Sequence, residues 1–333
     1  MGIKNLTSFL LEHCPTAIKE TQLFELRGKK VAIDASIFLY RFKYKGNKLI
    51  PKFFEQINRL RMNDITPIYI FDGIPNSLKQ DTINNRKTKL IDKKNKIDAL
   101  KKELQNTDDF SKVTEIQNKI NNIDNKIIHV TKDDIYKVKY LFDLLNIKHI
   151  QAQGEADLLC SKLCTTNIVD FVISEDMDLL TSGTKLLVRD FNIYNNKITV
   201  FNLDLILEKL NITYDKWVEL CIMLGCDYLK RINGVGPKKS FKYIKEYNNI
   251  FDILNELKTK NIIVDEKYIE YFEKSKKIFM TYNMDYLENI DNLVKIDKLY
   301  DNQIDNIKQF MFKYTTLSEK QILNRIKNIY NNI

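Results

Sequence analysis

Three short apolar runs, each closed by acidic residues, limit the fold more than any other feature of this sequence. Lys29-Lys30-Val31-Ala32-Ile33-Asp34 steps from two lysines into an apolar run and then to Asp34. Pro67-Ile68-Tyr69-Ile70-Phe71-Asp72-Gly73 repeats the plan, and Phe171-Val172-Ile173 leads to Glu175, Asp176 and Asp178. The runs are rich in Ile, Val and aromatics and do not alternate with polar residues. That pattern suits strands covered on both faces, as in a parallel sheet. Helical pattern intervenes: Val138, Leu141, Phe142 and Leu145 stand at i, i+3, i+4 and i+7. Strands alternating with helices predict an α/β domain, with a mostly parallel twisted sheet flanked by helices. In open sheets of this kind, function gathers at the carboxyl ends of the strands. All three acidic sites sit at such ends.

The chain has 333 residues, 44% hydrophobic and 29% charged, with a formal net charge of +9. A basic balance suits a polyanion, either nucleic acid or an acidic membrane surface, although plain solubility explains it equally. No apolar run approaches the ~18 residues of a spanning helix. Leu6 stands where a myristoylation signal needs Ser or Thr, so no membrane partner is expected. The five cysteines are an odd number with no secretory segment before them, which points to a reducing, intracellular compartment. Cys160, Cys164, Cys221 and Cys226 fall in apolar helical pattern and read as small core hydrophobes rather than zinc ligands.

Four segments are expected: 1–78 as the first part of a core, 79–130 as a helical insert, 131–247 as the rest of the core and 248–333 as a helical region. The insert contains no Pro or Gly, and residues 79–102 hold nine basic against three acidic residues. It reads either as a solvated helical projection or as a basic surface for phosphates. Lys79 and Arg86 open it seven residues apart, about two turns, so a continuous helix puts both on one face. Following Asp72 closely, they are placed either to stabilise charge on a phosphate or simply to face solvent. Further on, Gly234-Val235-Gly236-Pro237-Lys238-Lys239 combines glycines that admit a phosphate to the backbone with a Pro that starts a helix. Lys238 and Lys239 add charge. In isolation the same turn is a structural hairpin.

Asp34, Asp72, Glu155, Asp157, Asp176, Asp178 and Asp227 are the acids beside apolar elements. Singly, each has an ordinary explanation as a helix cap or turn residue. Converging, they would repel one another unless divalent cations held them. An all-oxygen set without His or Cys suits Mg²⁺, with Mn²⁺ as substitute. Two such ions about 4 Å apart suit the clamping of the attacking and leaving oxygens of a phosphodiester.

These residues, in their order along the chain, resemble the flap endonuclease and XPG-type family of structure-specific 5′ nucleases. The resemblance lies in MGIKNL (1–6), VAIDASIFLY (31–40), PIYIFDGIP (67–75), GEADLLC (154–160), ISEDMDLL (173–180), LCIMLGCDY (220–228) and INGVGPKK (232–239). FMFKYTTLSEKQI (310–322) is similar to the family's final helical segment. The resemblance implies a PIN-like nuclease fold with a helical arch at 79–130 and a helix-hairpin-helix type motif. It implies cleavage of DNA near 5′-flap junctions, with two Mg²⁺ bound by the seven carboxylates. A 5′→3′ exonuclease, a four-way-junction resolvase and an inactive DNA-binding scaffold are the alternatives on the same fold. By resemblance Lys79 and Arg86 are the catalytic basic pair, Tyr40 stacks on a base and Gly2 sits near the metals. Gly234, Gly236 and Lys238 bind duplex phosphates, with a K⁺ at the hairpin. DNA with a flap or single-strand/duplex junction is the implied partner of a monomer, at a nuclear or viral site of DNA replication. Two departures stand out. The loop Lys43 to Pro51 is shorter than the one that seats a 3′ flap in eukaryotic members, and no clamp-binding tail motif is seen.

Overall fold

The computed structural model describes residues 2–44, 48–107, 109–287 and 299–330. Its strands are β1 (Ile18–Gln22), β2 (Lys30–Asp34), β3 (Thr66–Phe71), β4 (His149–Gln151), β5 (Phe171–Ile173), β6 (Leu186–Arg189) and β7 (Lys197–Asn202). They form a sheet in the order β1-β7-β6-β5-β2-β3-β4. The pairs among β2 to β6 are parallel. Only β7 runs against its neighbours, β6 and β1. The expected mostly parallel sheet is therefore present. The three acid-closed runs are β2, β3 and β5, at its centre.

Both faces of those strands are covered, which is why their sequences do not alternate. Val31, Ile33, Tyr69, Phe71, Phe171 and Ile173 enter one apolar cluster; Ala32, Ile68, Ile70 and Val172 enter the other. In chain order the helices are α1 (Leu6–His13), α2 (Ala35–Lys43), α3 (Leu49–Met62), α4 (Gln80–Gln105), α5 (Phe110–Asp124), α6 (Lys132–Leu144), α7 (Ala156–Thr165), α8 (Asp178–Thr181), α9 (Leu203–Leu210), α10 (Tyr214–Leu224), α11 (Pro237–Glu246), α12 (Ile250–Thr259), α13 (Tyr268–Met280), α14 (Asp301–Tyr314) and α15 (Glu319–Tyr330). α2, α3, α6, α14 and α15 cover the first face; α1 and α7 through α13 supply the second. Cys14, Cys160, Cys164 and Cys221 lie in that second cluster. Buried Arg61 on α3 donates to the Ile329 carbonyl at 2.9 Å, which fastens α15 to the sheet side.

The insert is a pair of helices, α4 and α5. Ile97, Ile116 and Ile120 make a seam separate from both main clusters, so the pair packs on itself and projects. At 1.5 Å per residue, the 26 residues of α4 reach about 39 Å. Of the short loop expected between Lys43 and Pro51, residues 45–47 lie outside the described residues, as do residues 331–333 of the tail. No helix among the described residues is long and apolar enough to cross a membrane.

Behind the ends of β3 and β4, two backbones touch. Gly73 N–H donates to the Gly154 carbonyl at 2.7 Å and Ile74 N–H to the Gln153 carbonyl at 3.0 Å. A Cβ on Gly73 would lie 2.0 Å from the Ala152 carbonyl oxygen. Backbone cannot yield as a flexible side chain does. Gly73→Ala is expected to cost at least about 2 kcal/mol, at the upper end of overpacking effects, read as a lowered melting temperature. An unchanged melting temperature would show that the loops are not packed this closely.

Candidate active site

The parallel strands deliver their acids to one rim. Asp34 ends β2 and caps α2, accepting from the N–H groups of Ser36 at 3.0 Å and Ile37 at 3.4 Å. Its other oxygen accepts from the Ser174 hydroxyl at 3.3 Å. Asp72 follows β3 and accepts from Ala156 N–H at 2.9 Å, which draws the start of α7 toward it. Glu155 is the N-cap of α7 and Asp157 stands in its first turn. The sequence reading placed this pair at a helix start but missed β4, which is three residues long. With β4 in place, Glu155 and Asp157 join the same rim as a fourth strand-end site. Beyond β5, Asp176 N–H donates to the Ser174 hydroxyl and Asp178 N–H to Asp176 Oδ1 at 3.1 Å. Asp227 comes from the other side, in the turn after α10, its carbonyl accepting from Thr82 Oγ1 on α4 at 2.9 Å.

The seven acids act on one another. Burial first, then Asp72 and Asp176, push the Asp34 carboxyl up to about 7. Burial, with Glu155, Asp176 and Asp72, holds Asp157 well above the usual carboxylate range. Asp178 is raised well above that range by burial and by Asp176, Asp157 and Asp227; Asp176 is raised chiefly by burial. Lys79 stands among them. It ends a short 3-10 turn (Ser77–Lys79), pairs with Glu155 and lies 3.4 Å from Asp227 Oδ2. Burial alone would lower its pKa; Asp157, Glu155 and Asp227 together reverse that and raise it. Arg86, further along on α4, reaches the same Asp227 oxygen at 2.9 Å. The Tyr228 hydroxyl donates to Glu155 at 3.0 Å.

Among the described residues, no three carboxylate, imidazole or thiol groups close tightly enough to hold an ion as they stand. Two of the acids, Glu155 and Asp227, instead pair with the Lys79 ammonium. Their chemistry nevertheless fits divalent cations: every donor is a hard oxygen, and Asp178 Oδ1 is buried with no hydrogen-bond partner among the described residues. Gly2 abuts the same acids. With φ at +85°, a Cβ there would lie 2.1 Å from Asp176 Oδ1 and 2.7 Å from Asp178 Oδ1.

Other residues singled out in the sequence are placed as follows. Tyr40 on α2 is 52% exposed, so its ring is free of the core. Glu175, the third acid of its cluster, is turned away: Arg41 holds it at 2.6 Å and Arg189 at 3.5 Å. In the hairpin Gly234 has φ +79°, and open space surrounds the Cβ positions of Gly234 and Gly236. Gly236 is the N-cap of α11, with Pro237 at its first position. Lys238 pairs with Glu12 at 2.9 Å on an exposed surface, and Lys239 donates to the Gly234 carbonyl at 3.0 Å.

A parallel sheet with a seven-carboxylate rim, a basic helical hairpin above it and a glycine hairpin beside it define the PIN-like nuclease class. Residues 1–93 match the XPG N-terminal domain and residues 146–227 the XPG I-region. The chain belongs to the flap endonuclease and XPG family. It is 31% identical to flap endonuclease 1 of Plasmodium falciparum, over 99% of this chain and 52% of that protein. It is 33% identical to flap endonuclease 1 of Aedes aegypti, over 80% of this chain and 72% of that one. The chain thus spans about half the length of the Plasmodium relative. Solved structures share the fold: the catalytic core of Rad2 in complex with DNA substrate superposes at TM-score 0.67 with 23% identity, covering 98% of this chain and 99% of that one. The Holliday junction-resolving enzyme GEN1 in complex with product DNA and Mg²⁺ superposes at 0.66 with 18% identity, covering 98% and 78%.

The raised carboxyls set a pH dependence. A group whose pKa is higher folded than unfolded adds stability at low pH, and that stability is lost as pH rises through the folded value. For Asp34 the loss runs from 3.8 to about 7. Metal-free protein is therefore expected to melt several degrees lower at pH 8 than at pH 6. Mg²⁺ should restore the difference at pH 8, and Asp178→Asn should raise the metal-free melting temperature. A melting temperature that is flat or rising over this interval would contradict the crowded-carboxylate geometry.

Proposed function

We propose that the protein is a metal-dependent, structure-specific 5′ nuclease that hydrolyses DNA phosphodiesters near 5′-flap junctions. One observation carries this reading. Two cations from the base of the insert, Lys79 and Arg86, meet carboxylates that four parallel strands and the turn after α10 bring to one place. Family membership and the flap endonuclease 1 relatives support it, as do the DNA-bound Rad2 and GEN1 neighbours.

Asp34, Asp72, Glu155, Asp157, Asp176, Asp178 and Asp227 would hold two Mg²⁺, or Mn²⁺ in substitution. When bound, the cations supply Lewis acidity that activates water and stabilises the departing 3′ oxygen. Lys79, released from its carboxylates as the cations bind, is placed with Arg86 to stabilise charge on the scissile phosphate. Exposed Tyr40 offers a ring on which a base stacks. Gly2 leaves room for backbone to lie against Asp176 and Asp178. Gly234, Gly236, Lys238 and Lys239 grip duplex phosphate through open backbone, helix dipole and charge, with K⁺ at the same hairpin. The Lys238–Glu12 pair is exposed and therefore weak, so a phosphate displaces it readily. The segments 1–78 and 131–247 act as the catalytic core, 79–130 as the arch and 248–333 as its helical support. The enzyme works as a monomer where DNA is replicated or repaired.

A 5′-labelled flap duplex, a blunt duplex and a four-way junction, each with and without Mg²⁺, test the reading. A short product from the flap junction, seen only with metal, is expected. Mononucleotides from the blunt end would instead favour an exonuclease, and paired nicks in the junction a resolvase. Asp176→Ala should abolish cleavage. Lys79→Ala and Arg86→Ala should lower the single-turnover rate 10²-fold or more, on the order of one lost transition-state contact, and change affinity far less. Losses confined to affinity would reduce both to simple phosphate contacts.

A further inference from the structure

Beside the carboxylate rim lies a cleft of ≈ 480 Å³. The first turn of α4, the turn following Asp227 and the segment 263–271 wall it. Its size suits a single nucleotide. Asp227 forms part of one wall, so the cleft opens beside the acids without being made of them. Lys230 and Arg231 stand on its rim, exposed, and neither side chain has a hydrogen-bonded or ionic partner among the described residues. Tyr271 presents a ring that is 36% exposed. Tyr268 is the independent sign of a ligand: it is only 4% exposed, lines the cleft, and its hydroxyl has no hydrogen-bond partner among the described residues. A buried hydroxyl without a partner costs free energy, which a ligand in the cleft would relieve. Asp81 and Asp265 also line the cleft. They weigh against a bare polyphosphate and suit the amino and imino donors of a base.

Resting on the nuclease reading above, we infer that this cleft is a nucleotide subsite: a base stacks on Tyr271 and bonds the Tyr268 hydroxyl, while its phosphate meets Lys230 and Arg231. The nucleotide comes either from the substrate's displaced 5′ strand or from a free 5′-mononucleotide. The first turn of α4 forms a wall through Thr82, which also bonds the Asp227 carbonyl. An occupant therefore touches the foot of the arch at the point where the arch is tied to the acids.

Two arms of one experiment separate the sources. In the first, abasic sites are moved one position at a time along the flap of a 5′-flap duplex, and affinity is measured with wild type and Tyr271→Ala. In the second, thymidine 5′-monophosphate is titrated into both proteins without DNA. For a substrate nucleotide, one abasic position weakens wild-type binding about tenfold, the scale of a lost base–aromatic stack. The same position is silent in Tyr271→Ala, and the doubly substituted Lys230→Ala/Arg231→Ala protein shows the same weakening on intact flap. For a free nucleotide, only the titration responds, and Tyr271→Ala abolishes the response. Tyr268→Phe removes only the unpartnered hydroxyl, so it should weaken whichever ligand binds severalfold while leaving the melting temperature unchanged. Variants indistinguishable from wild type in both arms overturn the subsite. If wild type cleaves no DNA but binds the mononucleotide through Tyr271, the nuclease reading fails and the subsite stands.

Discussion

Repulsion among crowded carboxylates is the constraint on which the rest of this structure depends. At this rim burial first, and then the neighbouring acids, raise the carboxyls of Asp34, Asp157, Asp176 and Asp178. Such a cluster persists in a fold only if the backbone leaves it no escape and a cation answers it. The sheet provides the first condition. β2, β3, β4 and β5 run parallel and are buried on both faces, so their carboxyl ends emerge side by side and cannot splay. Backbone-to-backbone contact at Gly73 and the Asp72–Ala156 hydrogen bond then lock the β3 and β4 ends together. Lys79 provides the second condition, its ammonium held among Glu155, Asp157 and Asp227.

The same charge logic fixes the arch. One foot is bound to the acids through Lys79, Thr82 and Arg86. The other ends at Thr131, which forms a capping box with Asp134, and Asp134 is paired with Lys43 on α2. α2 begins at Asp34 and carries Tyr40. Both feet of the projecting pair are thus wired to elements that hold acids of the rim. A cation bound among these carboxylates would compete with Lys79, which pairs with Glu155 and Asp227. Among the described residues, Lys79 is thus the one lysine that ties the foot of the insert to the acids of the rim.

Much of this was legible in the residues. The non-alternating runs ending in Asp34 and Asp72, and the run before Asp176 and Asp178, identified the central strands and their shared rim because burial on both faces leaves an unmistakable apolar signature. β4 and β6 were missed because three or four residues carry too little pattern, and β1 because Ile18–Gln22 is an edge strand with mostly polar side chains. Missing β4 hid the reason that Glu155 and Asp157 belong to the site, although their capping position was visible. Glu175 could not be told from its neighbours by sequence, since only the fold brings Arg41 and Arg189 to it.

The sequence by itself determined which residue types stand where: the acids, the cations, the glycines, and the strand-then-acid grammar that puts carboxylates at one edge. Local pattern encodes these things because they depend on residue type and on period. Tertiary structure alone decided the pairings. Thr82 and Arg86 meet Asp227 across more than 140 positions, a Cβ at Gly2 is excluded by Asp176, and the cleft under Tyr268 and Tyr271 is walled by three segments distant in the chain. Contacts of that kind arise from how covered faces stack, and no short window of residues records them.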